Sequence, residues 1–333
     1  MAYKKIFNPD NARSVKRLRS VKTAAARSER AAQGLASQTG DRRDGLVYVY
    51  ADEIVLAVNV AIATGRPLLV RGPSGSGKSS LARNVALCMN WQYYEEVITS
   101  RTQARDLQWR FDTLRRLNDA NIQALKETAF YVEPGILWWA FDPEGAKRRG
   151  QPTMAKQELL TEPGDGTGNA RAGVVVLLDE IDKADPDVPN NLLVALGSLQ
   201  FTINEINVEV KKTRPLLVII TSNDERVLPN AFLRRCVTLV LPPPDTERLV
   251  GIAKVHFGGN HMRLYRSVAE RIIALSKATD SAAAGQVTPS AAEYLDTVRA
   301  CLELNVTPDT NETDWAAISK ATLVKPRDPA DMR

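Results

Sequence analysis

The chain has 333 residues, 44% of them hydrophobic and 25% charged, which is ordinary for a soluble globular protein and enough for two domains with apolar cores. No apolar run is long enough to span a membrane and no charged-then-apolar leader opens the chain, while Cys88, Cys236 and Cys301 are an odd set without C-x-x-C spacing. Together these features argue against a membrane or secreted protein and give the expectation of reduced, core-filling thiols in a cytoplasmic chain. The net charge of +5 is unevenly spread: residues 1–45 carry eleven Lys or Arg against four acids, and the rest of the chain carries 33 against 35.

In chain order, residues 1–47 read as a flexible basic arm, rich in Ala, Ser, Arg and Lys with few apolar anchors. Such an arm is either a solvated tail or a contact for nucleic acid or an acidic partner, and an organelle transit peptide is a weaker third reading. Residues 51–64 place Ile54, Val55, Ala57, Val58 and Ala61 at helical spacing, so a helix should feed the short apolar strand Leu68-Leu69-Val70. That strand opens into Gly72-Pro73-Ser74-Gly75-Ser76-Gly77-Lys78-Ser79-Ser80, which satisfies the pattern G-x-x-x-x-G-K-[ST]. Three glycines let the backbone wrap a polyphosphate with its N–H groups inward. Lys78 can neutralise the outer phosphates, the Ser79 hydroxyl can ligate Mg²⁺, and the following helix aims its positive end at the same anion. The segment predicts a nucleotide site.

Residues 91–98 read as a second strand and 100–106 as a loop, with a helix expected over 119–125. Residues 131–141 are an apolar insertion broken at Pro134-Gly135, and 142–172 form a glycine-bearing surface loop. Residues 173–178 are an unbroken apolar run, as in a parallel strand buried on both faces. It ends in Asp179-Glu180-Ile181-Asp182, carboxylates at the end of a strand where open α/β sheets bind ligands. Asp179 can share the Mg²⁺ shell, and Glu180 can activate water against a γ-phosphate. A helix over 190–199 and a segment over 201–210 that alternates like a hairpin strand lead to a third buried strand, 215–220, followed by Thr221-Ser222-Asn223. Asn223 can fix the attacking water, although Ser-Asn-Asp is also an ordinary turn. Arg234-Arg235 lies beyond, either a solvated face or a pair reaching a neighbouring subunit's nucleotide. After Pro242-Pro243-Pro244 the pattern is helical throughout, over 246–257, 263–279, 289–304 and 314–323. Strands alternating with helices, then helices alone, argue for an α/β nucleotide domain over 48–243 and a small α-helical lid with a C-terminal tail over 244–333.

Residues 72–79, 177–184, 220–223 and 231–236 resemble the Walker A, Walker B, sensor 1 and arginine-finger segments of the AAA+ ATPases, and are most similar to the MoxR branch. The likeness runs over about 48–305 and includes 99–119 and 131–139, similar to that branch's insertion in the second helix. It implies a P-loop AAA+ domain with a central parallel sheet and a helical lid. It also implies hydrolysis of ATP with Mg²⁺ in a homo-oligomeric, usually hexameric ring, with Arg234 or Arg235 acting in trans. The expected output is chaperone-like remodelling of a protein client, often a von Willebrand factor A domain protein. A nucleic-acid-stimulated motor or loader, suggested by the basic arm, is the alternative. The insertion's Trp138 and Trp139 would either project toward the pore or client or pack within or between subunits. The family's lid arginine finds Ala292 at the expected position, which leaves Arg299 as the possible substitute.

Overall fold

A strand covered on both faces has no use for polar alternation, and the three apolar runs of the sequence are built accordingly into one parallel sheet. The computed structural model describes residues 3–11, 13–16, 46–164, 168–169, 171–281, 290–306 and 312–322. Its strands are β1 (Leu68–Arg71), β2 (Gln92–Val97), β3 (Trp109–Phe111), β4 (Val132–Pro134), β5 (Val174–Asp179), β6 (Gln200–Ile203), β7 (Val208–Lys211), β8 (Leu216–Ser222) and β9 (Val237–Val240). Its helices are α1 (Asp52–Thr64), α2 (Lys78–Met89), α3 (Thr113–Asn121), α4 (Ile136–Phe141), α5 (Pro143–Lys147), α6 (Asp187–Ser198), α7 (Asn230–Leu233), α8 (Thr246–Phe257), α9 (Met262–Ser281), α10 (Ala291–Glu303) and α11 (Glu312–Thr322).

The main sheet runs β2-β5-β8-β1-β9, every neighbouring pair parallel. Alternate residues of a strand face opposite sides, so β5 feeds two cores at once. Val174, Val176 and Leu178 pack with the insertion, α6 and α7, while Val175 and Leu177 pack with α1 and α2. A third core, built from Leu249, Tyr265, Val268, Tyr294, Val298 and Trp315, holds α8 to α11 together as the helical lid. The α/β architecture with a terminal group of helices is therefore the one the sequence predicts.

Several details differ from the sequence reading. β9 closes the sheet beside β1, although a four-residue strand just before three prolines gives little periodic signal. The helix expected over 119–125 begins earlier, because the Asp112 carboxylate caps it by accepting from the Arg115 amide, and it ends at Asn121. Trp138 and Trp139 sit on α4 and are buried in the core beneath β5, so they pack inside the subunit and project toward nothing. The exposed apolar residues of the insertion are instead Leu114 and Leu117 on α3, with Ile122 and Leu125 after it. β3 and β4 pair antiparallel around this segment.

Residues 17–45, most of the expected arm, lie outside the described residues, as do 165–167 of the expected surface loop. The first part of the arm is docked on the α/β body. Phe7 is buried against α1, and the Asn59 side chain accepts from the amides of Ile6 and Phe7 while donating to the Phe7 and Val55 carbonyls. A buried amide with four partners satisfies every polar group this contact encloses. Among the described residues no helix is long and apolar enough to cross a membrane. All three cysteines are buried and unpaired; burial pushes the Cys88 and Cys236 thiols up to about 12, so neither is an activated nucleophile.

Candidate nucleotide site

β1 delivers the chain to Gly72, and the loop then turns through Gly75 and Gly77, both at left-handed φ (70° and 90°), before α2 starts at Lys78. The glycines are also needed for closeness. A Cβ on Gly72 would stand 2.4 Å from the Leu241 carbonyl oxygen, and one on Gly75 would stand 2.2 Å from the Ser290 Cβ. Lys78 is buried, its ammonium donating to the Gly72 and Pro73 carbonyls at 2.8 Å each, so the loop is folded around the lysine's own charge. Burial lowers the Lys78 pKa, and the nearby Asp179, Asp182, Asp224 and Glu180 offset this only in part. A polyphosphate placed here meets a concentrated positive charge at the N-terminal end of a twelve-residue helix. The Ser76 hydroxyl is buried without a hydrogen-bond partner, so the loop keeps a donor in reserve.

The sheet order sets the rest of the site beside this loop. β8 lies between β5 and β1, so the carboxyl ends of all three converge. Ser79 donates to both oxygens of the Asp179 carboxylate, each at 2.9 Å, and Thr221 at the end of β8 donates to the same carboxylate. The Thr221 hydroxyl in turn accepts from the Glu180 amide at 2.9 Å. Glu180 has left-handed backbone angles (φ 62°, ψ 49°), which cost a non-glycine residue about 1–2 kcal/mol and turn the chain sharply out of the sheet. Its carboxylate pairs with Lys183 at 2.8 Å. Asp182, buried on the same turn, accepts from the Asn223 amide at 3.1 Å and the Glu225 amide at 3.0 Å, and so fixes the backbone that presents Asn223.

The structure thus brings Gly72 to Ser80, Asp179, Glu180 and Asn223 to one end of the sheet, as the sequence reading expects. Thr221 and Asp182 belong to the same hydrogen-bonded set and were not singled out by it. The available signal was Thr221 itself: a polar residue ending a buried apolar run must find partners inside the protein. Arg234 and Arg235 follow α7 with exposed side chains, directed to solvent. Among the described lid residues, Ser290 meets the phosphate loop at Gly75, and it caps α10 through a reciprocal capping box with Glu293. Ala292 is exposed, and Arg299 lies over the Phe257 ring inside the lid, 5.9 Å from its centroid. Neither is the lid residue that touches the loop.

A divalent cation is tested here by the donor set. The Ser79 hydroxyl and Asp179 carboxylate are adjacent hard oxygen donors, and among the described residues no group of three or more His, Cys, Asp or Glu could hold a metal alone. That pairing fits Mg²⁺, which takes one or two protein oxygens and completes its shell with phosphate and water.

The sequence profile of the AAA domain (dynein-related subfamily) matches residues 67–236, from the residue before β1 to the residue before β9. No curated protein matches the sequence. Among solved structures, a RuvB mutant from Thermotoga maritima has a TM-score of 0.44 at 15% identity, covering 81% of this chain and 68% of that one. A proposed ATPase from Cytophaga hutchinsonii has a TM-score of 0.41 at 15% identity, covering 95% of this chain and 93% of that one.

The Gly75–Ser290 approach yields a direct expectation. Gly75→Ala should push the lid off the phosphate loop and weaken ATP binding about tenfold or more, measured by titration with a fluorescent ATP analogue. Gly197→Ala, on α6 with nothing within 4 Å of the added methyl, should bind as the parent does. Equal affinity for all three proteins would remove the lid contact from the site.

Proposed function

The chain belongs to the AAA-domain family, dynein-related subfamily, and from that premise we propose a MoxR-like AAA+ ATPase that couples Mg-ATP hydrolysis in a ring of identical subunits to remodelling a protein partner. The observation that carries the hydrolytic part is the hydrogen-bonded set Ser79–Asp179–Thr221–Glu180, which ties the phosphate loop to the backbone of Glu180, whose partly exposed carboxylate pairs with Lys183. The loop backbone and Lys78, which exchanges the Gly72 and Pro73 carbonyls for the ligand, bind the β- and γ-phosphates. Ser79 and Asp179 would hold Mg²⁺, whose charge, when bound, neutralises the phosphate oxygens. Asn223 orients a water and Glu180 takes its proton as the oxygen attacks the γ-phosphorus. The bond from that phosphorus to the bridging oxygen breaks, and ADP keeps the electron pair. For this to happen Glu180 exchanges its pairing with Lys183 for the water, a small cost because both groups are partly exposed.

The exposed arginines support a site completed by a neighbour, since Arg234 or Arg235 of one subunit can reach the γ-phosphate held by the next. The client is a protein, often a von Willebrand factor A domain protein in the MoxR branch that the chain resembles, and the exposed apolar residues of the α3 segment offer a surface for it.

Glu180→Gln should lower the rate of phosphate release at least about a hundredfold while leaving ATP affinity within about threefold, because it removes the proton acceptor and leaves the phosphate cradle. Steady-state phosphate assays beside nucleotide titration make the comparison, and a fully active variant would refute the assignment. Mixing Lys78→Ala with Arg235→Ala subunits should restore part of the activity that each has lost, because one subunit then supplies the loop and the other the arginine. If neither this mixture nor the matching one with Arg234→Ala recovers activity, the arginine does not act across an interface.

A further inference from the structure

We infer that Thr221 is the positioning residue of the site, a single hydroxyl that bonds both the Asp179 carboxylate and the Glu180 amide and so fixes the direction of Glu180. The inference rests on the hydrolytic reading above and gives Thr221, inside the segment that ends in Asn223, a role that the motif resemblance does not supply. Thr221 is fully buried in β8, between the strand that carries the phosphate loop and the strand that carries the carboxylates. A hydroxyl has one proton to give and two lone pairs to offer, and here the proton goes to Asp179 while a lone pair receives the Glu180 amide. Both partners are adjacent in sequence, so the two bonds span the peptide at which the chain leaves β5. That peptide leads into the left-handed Glu180, a conformation that persists only where its surroundings fix it. Among the described residues, the side chain that bonds the Glu180 amide is that of Thr221.

Replacing the hydroxyl by a methyl group keeps the volume and removes both bonds. The Asp179 carboxylate then loses one of its two hydroxyl donors, and the Glu180 peptide is free to relax out of the left-handed region. Either movement displaces the proton acceptor from the attacking water, and misplacement by about an ångström costs on the order of a hundredfold in rate. Serine retains the hydroxyl and should retain the geometry.

The test compares Thr221→Val and Thr221→Ser in the full-length chain by two readouts. In turnover, Thr221→Val should lower kcat about 30–100-fold with KM within about threefold, and Thr221→Ser should stay within about threefold of the parent. Rates are referred to nucleotide-binding sites titrated in the same sample, so a loss of folded protein alone would leave kcat unchanged. In amide hydrogen exchange without nucleotide, the Glu180 N–H should exchange at least about tenfold faster in Thr221→Val and at the parent rate in Thr221→Ser. A Thr221→Val protein with parental kcat or parental exchange overturns the inference, as does a Thr221→Ser protein as impaired as the valine variant. If the parent itself releases no phosphate, the hydrolytic reading fails and the exchange comparison decides the role of Thr221 alone.

Discussion

A carboxylate buried at the end of a central strand is a liability unless its oxygens are satisfied, and in this protein that condition falls on Asp179. Ser79 and Thr221 meet it, and in doing so they join three elements that are remote in sequence. Ser79 belongs to the first turn of α2, so its bond to Asp179 holds the phosphate loop against β5. Thr221 belongs to β8, so its bond holds the strand that ends in Asn223. The Asp182 carboxylate repeats the pattern one turn later by gripping the amides of Asn223 and Glu225. The bonds that satisfy the Asp179 carboxylate are thus the ones that hold the groups of the proposed site in line.

Topology makes this possible. With β8 inserted between β5 and β1, a phosphate loop near residue 75 and carboxylates near residue 180 become neighbours across one intervening strand. The parallel register brings all three carboxyl ends to the same edge, where ligands bind in open α/β sheets. The lid then approaches from the side of β9, because Leu241, just beyond that strand, already packs at Gly72 and Ser290 reaches Gly75. Both contacts require glycine, so the same residues that let the backbone surround phosphate also let the lid come close.

Much of this was legible from residue order. Leu68-Leu69-Val70, 173–178 and 215–220 are apolar without alternation, the mark of strands covered on both faces, and the loop between Gly72 and Ser80 carries its own geometry in its glycines. What stayed hidden depends on contacts across the sheet. Thr221 and Asp182 look like ordinary end-of-strand polar residues until β5 and β8 are paired, and Ser290 acquires its place only when the lid folds back. The tryptophans of the insertion stayed open between two readings for a related reason. A run such as Ile136-Leu137-Trp138-Trp139 reads equally well as a projecting loop or as core, and burial under β5 is a tertiary fact. Chain order also gave no sign of the docked N-terminal residues, since Phe7 is a lone anchor in a polar stretch whose partner, Asn59, lies 52 residues away.

In the proposed function Asp179 is the group that makes the phosphate loop answer to a divalent cation. The most direct measurement is the ATP affinity of the parent and of Asp179→Asn, each titrated with and without Mg²⁺. The account predicts that Mg²⁺ strengthens binding to the parent and has little effect on the variant, while the two proteins bind metal-free ATP within about threefold of one another. An Asp179→Asn protein that gains as much from Mg²⁺ as the parent does would contradict it.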